Sequence, residues 1–255
     1  MQTTMRTFLT GAKASLIMEA ADFSLPQLLG TKLPRFVLQA LFFVILARTA
    51  GGPELARFAL IGNVMSNAVI TSLVMLGISI ELEKWAGTLF LIIVVSVNWL
   101  PLMIGWVTAG YLESLLGVAT TFIVLTPFMA GADLPLDRLL LAAPVMLLTV
   151  ATMSGLGWLI GSITLPMRVG LLVSNMVAYL MFVVCGVNFP LEALPSAVQV
   201  FGRLLPMTHG LLAVRGIIDG ATYGDVALLL GVELVIGLVY AVVAWVVFRQ
   251  RLLTA

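Results

Sequence analysis

Six long apolar runs, each close to the length of a membrane-spanning helix, dominate the sequence. The hydrocarbon core of a bilayer is about 30 Å thick, and a helix that crosses it needs about 20 mostly apolar residues. The runs fall at 34–50, 57–80, 102–129, 139–163, 169–187 and 226–248. We therefore expect an all-α polytopic membrane protein with six transmembrane helices.

The composition supports this class of protein and leaves little room for any other domain. Hydrophobic residues make up 61% of the 255 residues and charged residues 10%, whereas a soluble domain is about 45–50% apolar and about 25% charged. Six spans with their connections use nearly the whole chain, so a large soluble domain does not fit. The net charge is +1 without a basic block, and we expect no nucleic-acid partner.

The stretch between the fifth and sixth runs, Cys185–Gly216, cannot form one straight helix. Pro190, Pro195 and Pro206 each remove a backbone donor and clash with the preceding turn. The stretch is nevertheless too apolar for a solvated loop. A broken, apolar segment of this kind is typical of a chain that dips into the bilayer and returns. We expect residues 188–220 to form such a re-entrant helical segment before the last span.

The same stretch resembles the signature of ABC-2 type permeases, the membrane subunits of ATP-driven exporters of drugs, glycans and lipids. The motifs that carry the resemblance are Asn188-Phe189-Pro190-Leu191-Glu192-Ala193-Leu194-Pro195, Leu205-Pro206-Met207-Thr208-His209-Gly210 and Val214-Arg215. The family carries this signature just before its last span, as here. The resemblance implies the six-helix ABC-2 (type V exporter) fold over residues 34–255. We assign to a re-entrant gate Asn188, Phe189, Pro190, Pro195, Pro206, His209 and Arg215.

The first 33 residues predict an amphipathic helix. Apolar side chains recur there at three- and four-residue steps, at Phe8, Leu9, Ala12, Leu16, Ala20 and Phe23. The membrane interface is the natural place for such a helix, and a partly ordered cytoplasmic arm is the alternative. We treat residues 1–33 as a cytoplasmic N-terminal segment and 34–255 as the transmembrane domain.

A charged cluster follows the second run directly. Three charges and Trp85 mark an exit into water and the interfacial aromatic belt, so we expect residues 81–97 to form a short helix along the cytoplasmic interface. An ordinary interfacial loop is the alternative. The segment resembles the acidic, glycine-threonine-leucine segment that ABC-2 permeases place against their ATPase as a coupling helix. The resemblance implies an ATPase-coupling role for Glu81, Glu83, Lys84, Gly87 and Thr88.

A polar stripe runs along the second span, where three polar residues at four-residue steps share one face of the helix. Such a stripe faces other helices or a wet cavity rather than lipid tails, so helix–helix contact and a substrate path both remain open. The fifth span carries an amide and two aromatic side chains on neighbouring parts of one face. The resemblance implies that these two spans line the central path. The candidate path residues are then Asn63, Asn67, Thr71, Asn175, Tyr179 and Phe182.

Motifs for catalysis and nucleotide binding are missing from the sequence. No G-x-x-x-x-G-K-[ST] phosphate loop occurs. The single Cys185 allows no internal disulfide, and the single His209 gives neither a catalytic triad nor a metal cluster. His209 is interpreted as a capping or packing residue, with a gating or pH role as the alternative. We predict that this chain is no enzyme, membrane-embedded or otherwise, and holds no metal or cofactor.

Basic residues predict the orientation. With an even number of spans both termini share one side, and that side holds eight of the 13 Lys and Arg residues. The positive-inside rule then puts both termini in the cytoplasm and residues 188–220 outside the cell (plasma or inner) membrane.

Two sources of energy for transport are compared. The resemblance implies a permease driven by two copies of a separate ABC ATPase, which bind ATP and Mg, with a second permease copy completing a homodimer. The cargo would be a hydrophobic or amphipathic drug, peptide, lipid or glycan moved outward, as in multidrug efflux. The alternative is an ion-coupled transporter or channel that uses the intramembrane carboxylates of Glu113 and Glu233, although a structural, hydrogen-bonded role is open for Glu113. We see no convincing repeat between residues 34–130 and 139–248 to support that alternative.

Overall fold

A computed structural model gives the fold and describes residues 2–22, 24–87, 99–125, 135–167 and 169–254. These residues form helices and turns, with no strand among them. The prediction of an all-α protein is therefore confirmed.

The helices follow one another along the chain with short connections in the second half. In chain order they are α1 Gln2–Asp22, α2 Leu25–Gln27, a π-helical turn Leu28–Lys32, α3 Leu33–Trp85, α4 Trp99–Leu125, α5 Leu136–Thr164, α6 Gly170–Val184, a 3-10 turn Leu191–Ala193, α7 Ser196–Leu204, α8 Thr208–Ile218 and α9 Tyr223–Thr254.

Helix α3 contains the first two predicted spans and is broken between them. Its 53 residues would reach about 80 Å as one straight helix, far more than the bilayer hydrocarbon. Gly52 breaks the helix with φ 77° and ψ −165°, a conformation that glycine adopts without a steric penalty. Asn67 Nδ2 donates to Phe36 O at 3.2 Å, so the two halves fold back against each other.

Three helices of the described part are long and apolar enough to cross a membrane, namely Leu29–Trp85, Leu136–Thr164 and Tyr223–Arg251. The pair α7–α8, bent by 91°, is a broken span or a re-entrant loop and makes a fourth if it counts as one span. The predicted six spans are thus not confirmed as a count. The count is lower than six because α3 counts once despite its break, and because α4 and the 15-residue α6 are not among the three helices.

Helix α1 lies against α4 through glycine contacts. A Cβ on Gly11 would lie 2.5 Å from Leu102 O, and a Cβ on Gly105 would lie 2.5 Å from Phe8 O. Ser15 Oγ also donates to Gly105 O at 3.3 Å. The structure confirms a helix in the N-terminal segment, whereas its place at the membrane surface stays a prediction.

The main core is formed by α3, α5, α6 and α8, and its largest apolar cluster includes Met65, Leu73, Met153, Met181 and Leu211. The outward faces of α6 and α9 carry large exposed apolar side chains instead. Exposed apolar faces of this size are what helices present to lipid or to another chain. The parts of the predicted elements at 88–97 and 126–129 lie outside the described residues.

Candidate functional site

The segment between α6 and α9 begins and ends beside the same end of the second half of α3. At its start, Asn63 Nδ2 donates to Asn188 Oδ1 at 2.7 Å. At its end, Arg57 forms an ion pair with Asp219, with 2.7 Å between Nη1 and Oδ1. Arg57 and Asn63 are separated by about 9 Å along the helix axis. Both ends of the segment therefore lie near the Gly52 break of α3, at positions about 9 Å apart along that helix.

The corner between α7 and α8 is held by Glu233 of α9, which is completely buried. Its Oε1 accepts hydrogen bonds from Met207 N and Thr152 Oγ1, both at 2.7 Å, and its Oε2 accepts one from Gly210 N at 3.0 Å. The N–H groups at the start of a helix have no partner within that helix, and negative charge is favoured there. Glu233 therefore caps α8 from a different helix.

The capped corner has a strained backbone. Met207, the residue before α8, has φ 92°, which is unusual for a residue other than glycine. A second bond near the corner joins the two helices of the bent pair, since Thr208 Oγ1 donates to Gly202 O at 2.6 Å. The surrounding hydrogen bonds compensate for the strain at this residue.

Arg215 of α8 ties the segment to α6 and α3. Its Nη1 donates to Gly186 O at 2.8 Å, and its Nη2 donates to Val187 O at 2.9 Å and to Phe58 O at 3.1 Å. The guanidinium carbon lies 3.3 Å from the centre of the Phe58 ring. Gly62 makes room for these contacts, because a Cβ there would lie 2.0 Å from Val187 O.

The other predicted gate residues occupy the turns of the same segment. Pro190 precedes the 3-10 turn and Pro195 precedes α7. Pro206 is buried in the corner, and Phe189 is 53% exposed. His209 lies in the first turn of α8, where its Nδ1 is buried without a hydrogen-bond partner among the described residues. The structure thus brings the seven predicted gate residues into one segment, and their gating role stays a prediction.

The polar stripe in the second half of α3 faces the first half of the same helix and the turn at Asn188. Asn63, Asn67 and Thr71 are all buried. Asn67 bonds Phe36 in the first half of α3, and Thr71 Oγ1 accepts from Arg35 Nη2 at 3.4 Å. Within one chain these side chains therefore hold the two halves of α3 together and fasten the turn at Asn188 to them.

The three candidate path residues of α6 lie in different environments. Tyr179 is 69% exposed, whereas Phe182 is buried and stacks on Phe43 with the ring centres 6.0 Å apart. Asn175 Nδ2 donates to Leu171 O at 2.8 Å within the helix. A single chain does not bring all six candidate path residues onto one surface, so their role in a path between chains stays a prediction.

The last turns of α3 hold the connection between α5 and α6. Glu81 Oε2 accepts from Gly170 N, the first residue of α6, at 2.9 Å. Lys84 Nζ donates to Leu165 O, at the end of α5, at 3.1 Å. A carboxylate thus meets the positive end of one helix, and an ammonium group meets the negative end of the other.

This arrangement differs from the short interfacial helix that the sequence predicted for residues 81–97. Residues 81–85 continue α3, so the helix ends five residues later than expected. Glu81 is only 3% exposed, and its carboxylate faces α6 rather than an outer surface. Glu83 is half-buried and Gly87 is exposed with φ 73°, while Thr88 lies outside the described residues.

Glu113 of α4 forms an ion pair with Lys32, with 3.3 Å between Oε1 and Nζ. Both residues line a pocket of about 260 Å³ together with Gln27, Thr31, Arg35 and Met75. A charge partner is what an intramembrane carboxylate is expected to have. Sequence reasoning missed Lys32, although its position at the start of the first span was a usable signal.

Other partners left no signal in the sequence. Thr152 and Gly170 donate hydrogen bonds to the two carboxylates, yet each is an ordinary residue of an apolar helix. Most atoms bound by Glu81, Arg215 and Glu233 are backbone N–H and C=O groups, which every residue other than proline has.

The residues 26–218 match the sequence pattern of the family described as ABC-2 type transporter. The match covers well over half of the 255 residues, and the chain belongs to this family. No curated protein matches the chain. The resemblance seen in the sequence is thereby confirmed.

Membership defines the class of protein in coarse terms. The chain is a multi-pass membrane protein, and its matched domain is a permease domain rather than a nucleotide-binding one. The family implies association with an ABC ATPase subunit. The matched region ends where α8 ends, so it includes Glu81 and Arg215.

Proposed function

We propose that this chain is the permease subunit of an ATP-binding-cassette exporter that moves a hydrophobic or amphipathic cargo outward. The family match over residues 26–218 carries the proposal. The sequence has no phosphate loop, so a separate ATPase binds ATP and Mg and supplies the energy. Two ATPase copies serve a pair of permeases.

The topology of the proposal has six spans. They are the two halves of α3 on either side of Gly52, α4, α5, α6 and α9. The positive-inside rule places both termini in the cytoplasm, at the cell membrane. The segment 188–220 is then external and re-entrant, and this is supported by the contacts of its start and its end with neighbouring residues of α3.

A second copy of the chain completes the transport path in this proposal. The outward face of α6 carries four large side chains that are each more than half exposed, namely Leu172, Met176, Tyr179 and Val183. An apolar face with one phenol suits contact with another permease and with an amphipathic cargo better than contact with a highly charged solute. Multidrug efflux is one activity of this kind.

The ion-coupled alternative gains no support from the contacts of its two carboxylates. Glu113 pairs with Lys32, and Glu233 is fully engaged in capping α8. These contacts favour a structural role for the two carboxylates.

Purification from membranes that contain the native ATPase tests the proposed assembly. We expect the tagged permease to retain an ABC ATPase in mild detergent, and native mass measurement to give two ATPase and two permease copies. Isolation of the permease without any ATPase, from membranes that export an amphipathic dye through it, would contradict the proposal.

A further inference from the structure

Helix α6 is held by opposite charges at its two ends. Before its first turn, Glu81 accepts the N–H of Gly170 at 2.9 Å. Beyond its last turn, Arg215 donates to the carbonyl groups of Gly186 and Val187 at 2.8 and 2.9 Å. Each charge has the sign that the helix dipole favours at that end. The two contacts therefore fix both the position and the direction of the helix.

Both holding groups are buried and come from elements that are distant along the chain. Glu81 is 3% exposed and Arg215 is 8% exposed. Hydrogen bonds of charged groups are stronger in a low-dielectric interior, and an unpaired charge there is costly. These contacts are thus expected to persist when the neighbouring helices move.

Helix α6 is short enough to behave as one stiff body. Its 15 residues span about 22 Å, which is most of the bilayer hydrocarbon. Between its ends it packs closely on α3, since a Cβ on Gly77 would lie 2.0 Å from Ser174 Oγ. When the start of α6, which contacts Glu81, is displaced, the end of α6, which adjoins the contacts of Arg215, therefore moves with it.

The Glu81 end adjoins the segment to which ATPase coupling is assigned. Glu81 and Lys84 are three residues apart and share a face of α3; Lys84 bonds Leu165 O while Glu81 bonds Gly170 N. The end of α3 thus holds both sides of the α5–α6 connection. A movement of this end, imposed from the ATPase side, moves the start of α6.

We infer that Glu81 and Arg215 are positioning residues that transmit movement through α6, from the ATPase side of the permease to the re-entrant segment. The inference rests on the proposed function and adds to it the route of coupling. Glu81 acts inside the permease in this scheme, because its carboxylate is buried and faces α6.

The test compares Glu81→Ala with Glu54→Ala in vesicles that contain the permease with its ATPase. The measurements are the retained ATPase, the rate of ATP hydrolysis, and the amount of amphipathic dye moved per ATP. We expect Glu81→Ala to keep the ATPase and its hydrolysis but to move about ten-fold less dye per ATP, the change that corresponds to about 1.4 kcal/mol. Glu54 is a carboxylate at an exposed position of the same helix α3, and its variant should keep the wild-type ratio.

Arg215→Lys tests the other end of α6. Lysine keeps the charge but lacks the fork that reaches several carbonyl groups at once, so the dye moved per ATP should fall while ATPase binding is kept. Arg203→Lys, at an exposed position of α7, is its control. Because the two residues act in series, the double variant Glu81→Ala/Arg215→Lys should be about as impaired as the worse single variant. Independent, multiplying losses would overturn the inference.

The variants also separate this inference from the proposed function. If Glu81→Ala does not fold, Glu81→Gln keeps an acceptor oxygen and serves in its place, with a smaller loss expected. Loss of ATPase binding in that variant, or an unchanged amount of dye per ATP, would overturn the inference while leaving the proposed function standing. A wild-type permease that binds no ATPase would contradict the proposed function itself.

Discussion

At the scale of single residues, the buried carboxylates of Glu81 and Glu233 have the same kind of environment. A charged side chain at membrane depth is costly unless it has partners. Both carboxylates find them at the first turn of another helix, Glu81 at α6 and Glu233 at α8. The open N–H groups of a helix start are strong donors to a carboxylate. Both oxygens of Glu233 accept such bonds, whereas Glu81 uses Oε2 alone and its Oε1 is buried without a hydrogen-bond partner among the described residues.

Glu233→Ala should weaken the fold. The change leaves the buried N–H groups of Met207 and Gly210 without their acceptor, at a cost of about 1–3 kcal/mol for each unsatisfied group. The unfolding temperature of the purified protein in detergent measures the effect. Glu192→Ala, at an exposed position of the same segment, should leave that temperature nearly unchanged. Equal unfolding temperatures for the two variants would show that the cap at α8 contributes little.

Gly62→Ala should disrupt the contacts of Arg215. A Cβ at this position would lie 2.0 Å from Val187 O and 2.9 Å from Arg215 Nη2, so the start of the re-entrant segment must move. The matched control is Gly231→Ala in α9, where no atom lies within 4 Å of the added Cβ. There the helix gains about 1 kcal/mol of intrinsic propensity. We expect lower stability for the first variant and equal or higher stability for the second, and the reverse order would refute the packing at Gly62.

At the scale of the elements, the helices were predictable and most of their partners were not. Runs of apolar residues mark spans through their length, and Gly52 with Pro53 marks the break in α3. The end of α3 was misplaced because the charges after residue 80 predict an interface with water, whereas a helix continues as long as its backbone bonds are made. Glu81 therefore looks exposed in the sequence and is buried in the fold.

The candidate path residues of α3 are buried, whereas Tyr179 of α6 is exposed, so substitutions in the two helices should have different effects. Asn67→Leu should lower stability, because it removes the bond to Phe36 O. Tyr179→Ala should leave stability unchanged, since the side chain is 69% exposed, and should alter which dyes are exported. Export assays with dyes of different size, together with thermal unfolding, separate the two effects. Unchanged selectivity in the Tyr179 variant would remove this residue from the path.

At the scale of the whole molecule, family and class were readable from the sequence because the Cys185–Gly216 stretch combines ordered motifs with an unusual, proline-broken apolar segment. The polar contacts that fasten this segment were not readable. Several of them join residues more than 100 positions apart, such as Asn63 with Asn188 and Arg57 with Asp219, and single amides or arginines give no indication of their partners.

The central claim at this scale is that a separate ATPase supplies the energy for transport. Transport in sealed vesicles tests this claim directly. Inverted vesicles with the permease alone, or with the permease and its ATPase, are given an amphipathic dye, with or without ATP and with or without an ionophore that collapses ion gradients. We predict that dye accumulates only when the ATPase and ATP are both present, and that the ionophore has no effect. Dye accumulation by the permease alone, driven by an ion gradient and abolished by the ionophore, would contradict the claim.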